Sequence, residues 1–185
     1  MCAAWSRRLA SLATSSRRST SAWWRALASK VVTRKLVTDG SFAQASGMDT
    51  VPRILIVDDD VGLTKVTREA LIDAFRCEID TSPTPAYGFE LALKKRYDLF
   101  IFDFSMPMID GAMLFFLIGK VYNHVNPPHV VPPLILVSGR GDEPRAQELL
   151  KEPGVRGLIA KPFSIERLLA KVRECLPSLK ETDKP

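Results

Sequence analysis

Leu99-Phe100-Ile101-Phe102-Asp103-Phe104-Ser105-Met106-Pro107-Met108-Ile109-Asp110-Gly111 decides how the rest of this 185-residue chain is read. Four consecutive apolar residues, two of them Phe, predict a buried strand over Leu99 to Phe102. The strand ends in a lone carboxylate, Asp103. Pro107 and Asp110-Gly111 mark a turn, and the apolar stretch from Ala112 that follows predicts a helix to Tyr122. A carboxylate at the end of a buried strand is costly unless a cation, a hydrogen-bond donor or water meets it there. Taken alone, Asp103 could equally cap the following helix, so the decision falls to the rest of the chain.

Working outward, Arg53-Ile54-Leu55-Ile56-Val57 predicts another buried strand, ending in Asp58-Asp59-Asp60. Val61 to Phe75 carries Leu63, Val66, Ala70, Leu71 and Ala74 at helical spacing, with Asp60 as its cap. Glu78 to Thr81 reads as a short strand, and Ser82 to Pro85 as a turn into a helix through Leu93. Asn123 to Pro133 is a loop with four prolines. Leu134-Ile135-Leu136-Val137 is a fourth strand, ending at Ser138-Gly139. A weaker helix is predicted from about Glu143 to Lys151. Gly157-Leu158-Ile159-Ala160 is a fifth strand, followed by Lys161-Pro162-Phe163. Ser164 caps a last helix through Cys175, and Pro177 ends it. Five βα units in succession argue for an α/β fold with a parallel sheet wound by helices on both faces. Right-handed crossovers then place every strand's carboxyl end on one edge, where ligands of such sheets bind.

The charge is segregated. Residues 1–38 hold eight Lys/Arg and no acid, while the rest of the chain holds 18 basic and 21 acidic side chains, a net of −3. The mildly acidic body argues against direct DNA binding by the globular part. The Ser- and Arg-rich leader, residues 1–50, has three competing readings. It is a disordered tail or sequence upstream of a start at Met48, an organellar transit peptide, or a basic segment contacting anionic surfaces. The domain is expected over 51–177, with a tail over 178–185. No stretch is long and apolar enough to span a bilayer. Cys2, Cys77 and Cys175 are odd in number and far apart, which fits a reducing, cytoplasmic setting.

Four of the five strand ends carry a charged or reactive residue: Asp58 and Asp59, Asp103, Ser138, and Lys161. Strand two offers only Thr81. If it lies outermost, the other four ends converge. Clustered carboxylates raise one another's pKa unless a cation joins them. An oxygen-only donor set suits Mg²⁺ (or Mn²⁺). Lys161 supplies a point charge for an anion and Ser138 a hydrogen bond. Together these make a site for phosphoryl transfer to the central carboxylate.

Those residues, in that order, resemble the response-regulator receiver domains of two-component signalling, over residues 53 to about 176. The stretches that carry the resemblance are Val57-Asp58-Asp59, Asp103 to Gly111, Val137-Ser138-Gly139 and Lys161-Pro162-Phe163. The resemblance implies a CheY-like, flavodoxin-like sheet in the order 2-1-3-4-5. It implies Asp103 as phosphoacceptor, with Asp59, Asp103 and the main-chain carbonyl of Ser105 holding Mg²⁺ directly and Asp58 assisting through water. Ser138 and Lys161 would engage the phosphoryl group, and Pro162 would follow a constrained peptide. The implied partners are a histidine kinase or histidine phosphotransfer protein and a downstream protein bound through the last two helices. One departure stands out: Leu158 occupies the position, three before the Lys, where the family carries an aromatic residue.

Two other readings remain. Asp58-Asp59-Asp60 also resembles the nucleophile loop of haloacid-dehalogenase-type phosphohydrolases, although the acidic pair that family needs after a later strand has no counterpart beyond Lys161. A receiver fold that is never phosphorylated would act as a binding module. The expectation is a stand-alone receiver that catalyses its own phosphotransfer and dephosphorylation. Met106, Met108 and Met113 are read as packing residues, Cys77 and Cys175 as small buried apolar groups, and His124 with His129 as loop residues rather than metal ligands.

Overall fold

The computed structural model describes residues 51–139 and 148–182. The leader therefore lies outside the described residues. Five strands alternate with helices: β1 (Arg53–Val57), α1 (Val61–Ala74), β2 (Glu78–Ser82), α2 (Pro85–Lys94), β3 (Leu99–Asp103), α3 (Gly111–His124), β4 (Leu134–Ser138), β5 (Val155–Ala160) and α4 (Ile165–Cys175). All pairings are parallel, in the order β2-β1-β3-β4-β5. The implied sheet order is thus observed. Glu148 and Leu149 are helical, but residues 143–147 of the helix predicted around them fall outside the described residues.

Every residue of β3 and of β4 is buried, which is why both read as unbroken apolar runs. The strand pleat sends alternate residues to opposite faces. Ile54, Ile56, Leu99, Ile101, Ile135 and Val137 pack beneath α1 and α4 with Leu71, Leu168 and Val172. On the other face Phe100 stacks on Phe102 at 5.0 Å and meets Phe115 of α3 edge-on at 6.4 Å. Four helices start on a side-chain cap: Asp60, Thr84, Asp110 and Ser164 accept from the backbone N–H groups of Leu63, Tyr87, Met113 and Arg167. Replacing such a cap by Ala typically costs about 1 kcal/mol.

Several boundaries differ from expectation: α3 runs through Asn123 and His124, which were read as loop, and β2 takes in Ser82. β5 begins at Val155 rather than Gly157, because the edge strand alternates buried Val155, exposed Arg156 and buried Gly157, and a charged second residue hides its start. Residues 178–182, set apart in the sequence as a tail, pack against the body. Leu179 joins the core cluster, the Arg76 N–H donates to the Lys180 carbonyl at 2.9 Å, and Phe75 pairs with Glu181 in an antiparallel bridge.

Candidate functional site

Asp103 closes β3, and only 4% of it is exposed. Its Oδ1 lies 2.6 Å from Lys161 Nζ, and its Oδ2 accepts the Ser105 N–H at 2.6 Å. Asp58 follows β1 and is 5% exposed. Its Oδ2 accepts from Lys161 Nζ at 2.8 Å and its Oδ1 from the Asp60 N–H at 2.9 Å. One ammonium, from the far end of the sheet, therefore bridges two buried carboxylates at the centre of its carboxyl edge. The Lys161 N–H donates to the Ser138 carbonyl at 2.7 Å, which locks the end of β5 to the end of β4. Ser138 is fully buried there. The Lys161–Pro162 peptide is cis.

Asp59 is placed differently. It is exposed, and among the described residues no hydrogen bond or ion pair joins it to Asp58, Asp103 or Lys161. Ser105 is exposed, with its N–H turned to Asp103. The structure thus brings Asp58, Asp103 and Lys161 together, ties Ser138 to them through the backbone, and leaves Asp59 at the open side.

The charges explain why the set is poised. Burial alone would lower the pKa of Lys161, but its hydrogen bonds to Asp103 and Asp58 outweigh that and hold the ammonium protonated. Burial pushes Asp58 above the ordinary carboxylate range, and the Lys161 ammonium draws it back only in part. Two carboxylates share one ammonium, so their ionised forms carry a net charge of about −1 before exposed Asp59 is added. That surplus, carried only by oxygen donors, fits a hard divalent cation. No group of three or more His, Cys, Asp or Glu that could hold a metal by side chains alone occurs among the described residues. Mg²⁺ does not require one, since it takes one or two carboxylates and keeps several waters.

Several features were not read from the sequence. A Cβ on Gly111 would fall 2.3 Å from the Asp103 carbonyl oxygen, so the first turn of α3 lies against the backbone of Asp103 as only glycine permits. Asp-Gly signals a turn in sequence, but not this close approach. Met108, read as packing, is 64% exposed and adopts φ 73°, a left-handed conformation unusual for such a side chain. Met106 is buried as expected. Cys77 and Cys175 are half-buried and pack against the core. Burial pushes the Cys77 thiol up to about 11. His129 meets the Tyr122 ring edge-on, while His124 Nδ1 lies 2.7 Å from the Lys120 carbonyl, so the two imidazoles serve local packing and capping.

Residues 54–173 match the response regulator receiver domain. The chain belongs to the response-regulator receiver family. That membership sets aside the haloacid-dehalogenase-type reading. The receiver is 27% identical over 128 residues to a probable chemotaxis protein CheY of Rhizobium etli, an alignment covering 69% of this chain and 95% of that protein. It is 32% identical over 129 residues to the transcriptional regulatory protein RprY of Bacteroides fragilis, covering 70% of this chain and 51% of the relative. The chain therefore spans about half the length of that regulator. Among solved structures, a CheY-like receiver domain protein from Methanospirillum hungatei superposes with a TM-score of 0.59 at 25% identity, over 70% of this chain and 96% of that one. The response regulator TrrA of Thermotoga maritima, solved with Mg²⁺ and BeF, gives a TM-score of 0.56 at 25% identity, over 68% and 100%. Among the described residues of this receiver, no helix is long and apolar enough to cross a membrane.

Proposed function

We propose that this receiver takes a phosphoryl group from a phosphohistidine donor onto Asp103, with Mg²⁺ (or Mn²⁺), and thereby changes its affinity for a partner protein in a cytoplasmic phosphorelay. The observation that carries the reading is Lys161 Nζ, 2.8 Å from Asp58 and 2.6 Å from Asp103, at the buried centre of the sheet's carboxyl edge. An Asp103 oxygen attacks phosphorus, the bond from phosphorus to the donor's imidazole breaks, and the electron pair leaves with the imidazole. Lys161 holds its charge against the acceptor carboxylate and then against a phosphoryl oxygen. Ser138, at the end of β4, supplies a hydroxyl for another. Asp58, Asp59, Asp103 and the Ser105 carbonyl are the groups that would hold the cation. When bound, the cation neutralises the charge that develops on the transferring oxygens. A donor protein has apolar surface to meet, since Val61, Tyr87 and Met108 are 65%, 47% and 64% exposed on segments that leave the same edge.

A second reading has one observation in its favour. Leu158, half-buried on β5, stands where the family carries an aromatic residue, so a binding module indifferent to phosphorylation is the alternative. Intact mass after incubation with Mg²⁺ and acetyl phosphate separates the two. One phosphate on the wild type and none on Asp103→Asn is the expected result. If the wild type gains no phosphate and beryllofluoride does not bind, the phosphoacceptor reading is overturned and the binding module stands.

A further inference from the structure

Two threonines face inward from α1. Thr64 is 8% and Thr67 is 4% exposed, three residues apart and so on one face of the helix. Their neighbours on that side, Leu71 and the Ile residues of β1 and β3, are aliphatic. A hydroxyl placed there is costly unless it finds a hydrogen-bonding partner. Thr64 finds one in its own loop: its Oγ1 donates to the Asp60 carbonyl at 2.8 Å, with the Asp58 carbonyl at 3.5 Å. Its side chain thus fastens the segment that carries the acidic residues.

Thr67 lies one turn deeper. With Thr64, Asp58 and Asp103 it lines a narrow pocket under the site, walled by Ile101 and Phe163. The pocket has about 10 Å³ of free space. That is close to the room a single water needs, and a buried water also needs two or more polar partners. Thr64, Thr67 and the two aspartates supply them. A valine at 67 would fill the same volume without a hydroxyl, so the threonine is not required by packing.

We propose that Thr67 is a positioning residue of the phosphoacceptor site, holding one water in this pocket that supports the Asp58 and Asp103 side from within the body. Lys161 tethers the two carboxylates directly, and the water held by Thr67 fixes them from the α1 side. The inference rests on the reading of the site as Mg²⁺-dependent. Its effect is on how well the carboxylates are pre-arranged for the cation, not on the transfer itself.

The test is calorimetric titration of the full chain with MgCl₂, alongside thermal unfolding, for wild type, Thr67→Val and Thr67→Ser. Groups that orient metal ligands from the next layer are worth at least about tenfold in metal affinity. Thr67→Val is expected to bind Mg²⁺ about tenfold more weakly with an unchanged or higher unfolding temperature, and Thr67→Ser to stay within about twofold of wild type. Unchanged Mg²⁺ affinity in Thr67→Val overturns the proposal and leaves the phosphoacceptor reading intact. So does equal weakening in the serine variant, which keeps the hydroxyl and would assign the effect to packing at position 67. A high-resolution structure with the pocket dry overturns it independently of either variant. A wild type that does not bind Mg²⁺ removes the reading on which the proposal rests, and the proposal with it.

Discussion

Two aspartate–lysine constellations stand among the described residues of this receiver, and they differ in how many carboxylates each ammonium serves. On β2, Asp80 accepts from Lys95 Nζ at 2.8 and 2.9 Å and from the Tyr97 hydroxyl at 2.8 Å. One carboxylate has two donors, and a quarter of its side chain meets water. At the ends of β1 and β3 the ratio is reversed, with Asp58 and Asp103 sharing Lys161 and almost closed to solvent. Acidity follows the ratio. Burial pushes Asp80 up, but the hydrogen bonds from Lys95 and Tyr97 outweigh it and hold the carboxyl below the ordinary range. For Asp58, burial prevails and the carboxyl lies above that range. What separates a site from a structural ion pair here is charge left uncompensated, since both places have the pair.

The largest effect expected from that difference comes from removing each lysine. Lys161→Met leaves two buried carboxylates with no cation and should cost about 3 kcal/mol of stability at neutral pH. Added Mg²⁺ should recover part of the loss. Lys95→Met removes a partner that is 43% exposed, from a carboxylate that keeps its phenol. It should cost under about 1 kcal/mol, with no response to Mg²⁺. Urea unfolding with and without MgCl₂ measures both, and equal losses would erase the distinction.

A sharper version replaces each aspartate by its neutral isostere, where the signs should oppose. Asp58→Asn relieves the surplus charge and keeps an acceptor for the Asp60 N–H, so it should stabilise the metal-free protein by about 1 kcal/mol. Asp80→Asn weakens the charge-assisted bonds from Lys95 and Tyr97 and should destabilise by about 1 kcal/mol. The pH slopes oppose as well. Because the folded-state pKa of Asp58 is raised, its favourable contribution is present below the ordinary carboxylate pKa of about 4 and fades as pH rises through the raised value. Because that of Asp80 is lowered, its contribution is present above about pH 4 and is lost as pH falls through the lowered value. The difference in unfolding midpoint between wild type and each variant, followed from neutral to acid pH, should therefore converge for both substitutions from opposite sides.

The two constellations were not equally legible in the sequence. Asp58, Asp103 and Lys161 each follow an apolar run, and a carboxylate or ammonium at the end of a buried strand is visible without any structure. β1, β3 and β4 were legible for the same reason, being buried on both faces. Which of Asp58 and Asp59 turns inward was not readable, since it depends on the twist and parity with which β1 ends. The Asp80 set was invisible. Glu78-Ile79-Asp80-Thr81 reads as an ordinary half-exposed edge strand, and nothing in the spacing to Lys95 and Tyr97 says that the loop after α2 folds back across it. Leu179 was hidden in the same way, as one apolar residue among Pro177, Ser178 and Lys180. Register and close approach, as at Gly111, are decided by the assembled sheet and leave no local mark.

The smallest effect isolates the phenol. Tyr97 is 6% exposed, and its ring lies 6.0 Å from that of Phe100, so Tyr97→Phe leaves the packing in place and removes only the hydroxyl that donates to Asp80. Lys95 still reaches both carboxylate oxygens. Water can replace the lost donor at a side chain one quarter exposed. The loss should therefore be about 0.5 kcal/mol. The pKa of Asp80 should rise toward the ordinary carboxylate value while remaining below it, and carbon-13 detected titration of the side-chain carboxyl would follow this directly. The phosphate uptake proposed for Asp103 should be unchanged, because the Asp80 set shares no residue with the site. A larger loss would mean that the phenol, rather than the ammonium, is the main compensation at Asp80. In that case counting ammonium groups per carboxylate would no longer account for the contrast between the two places.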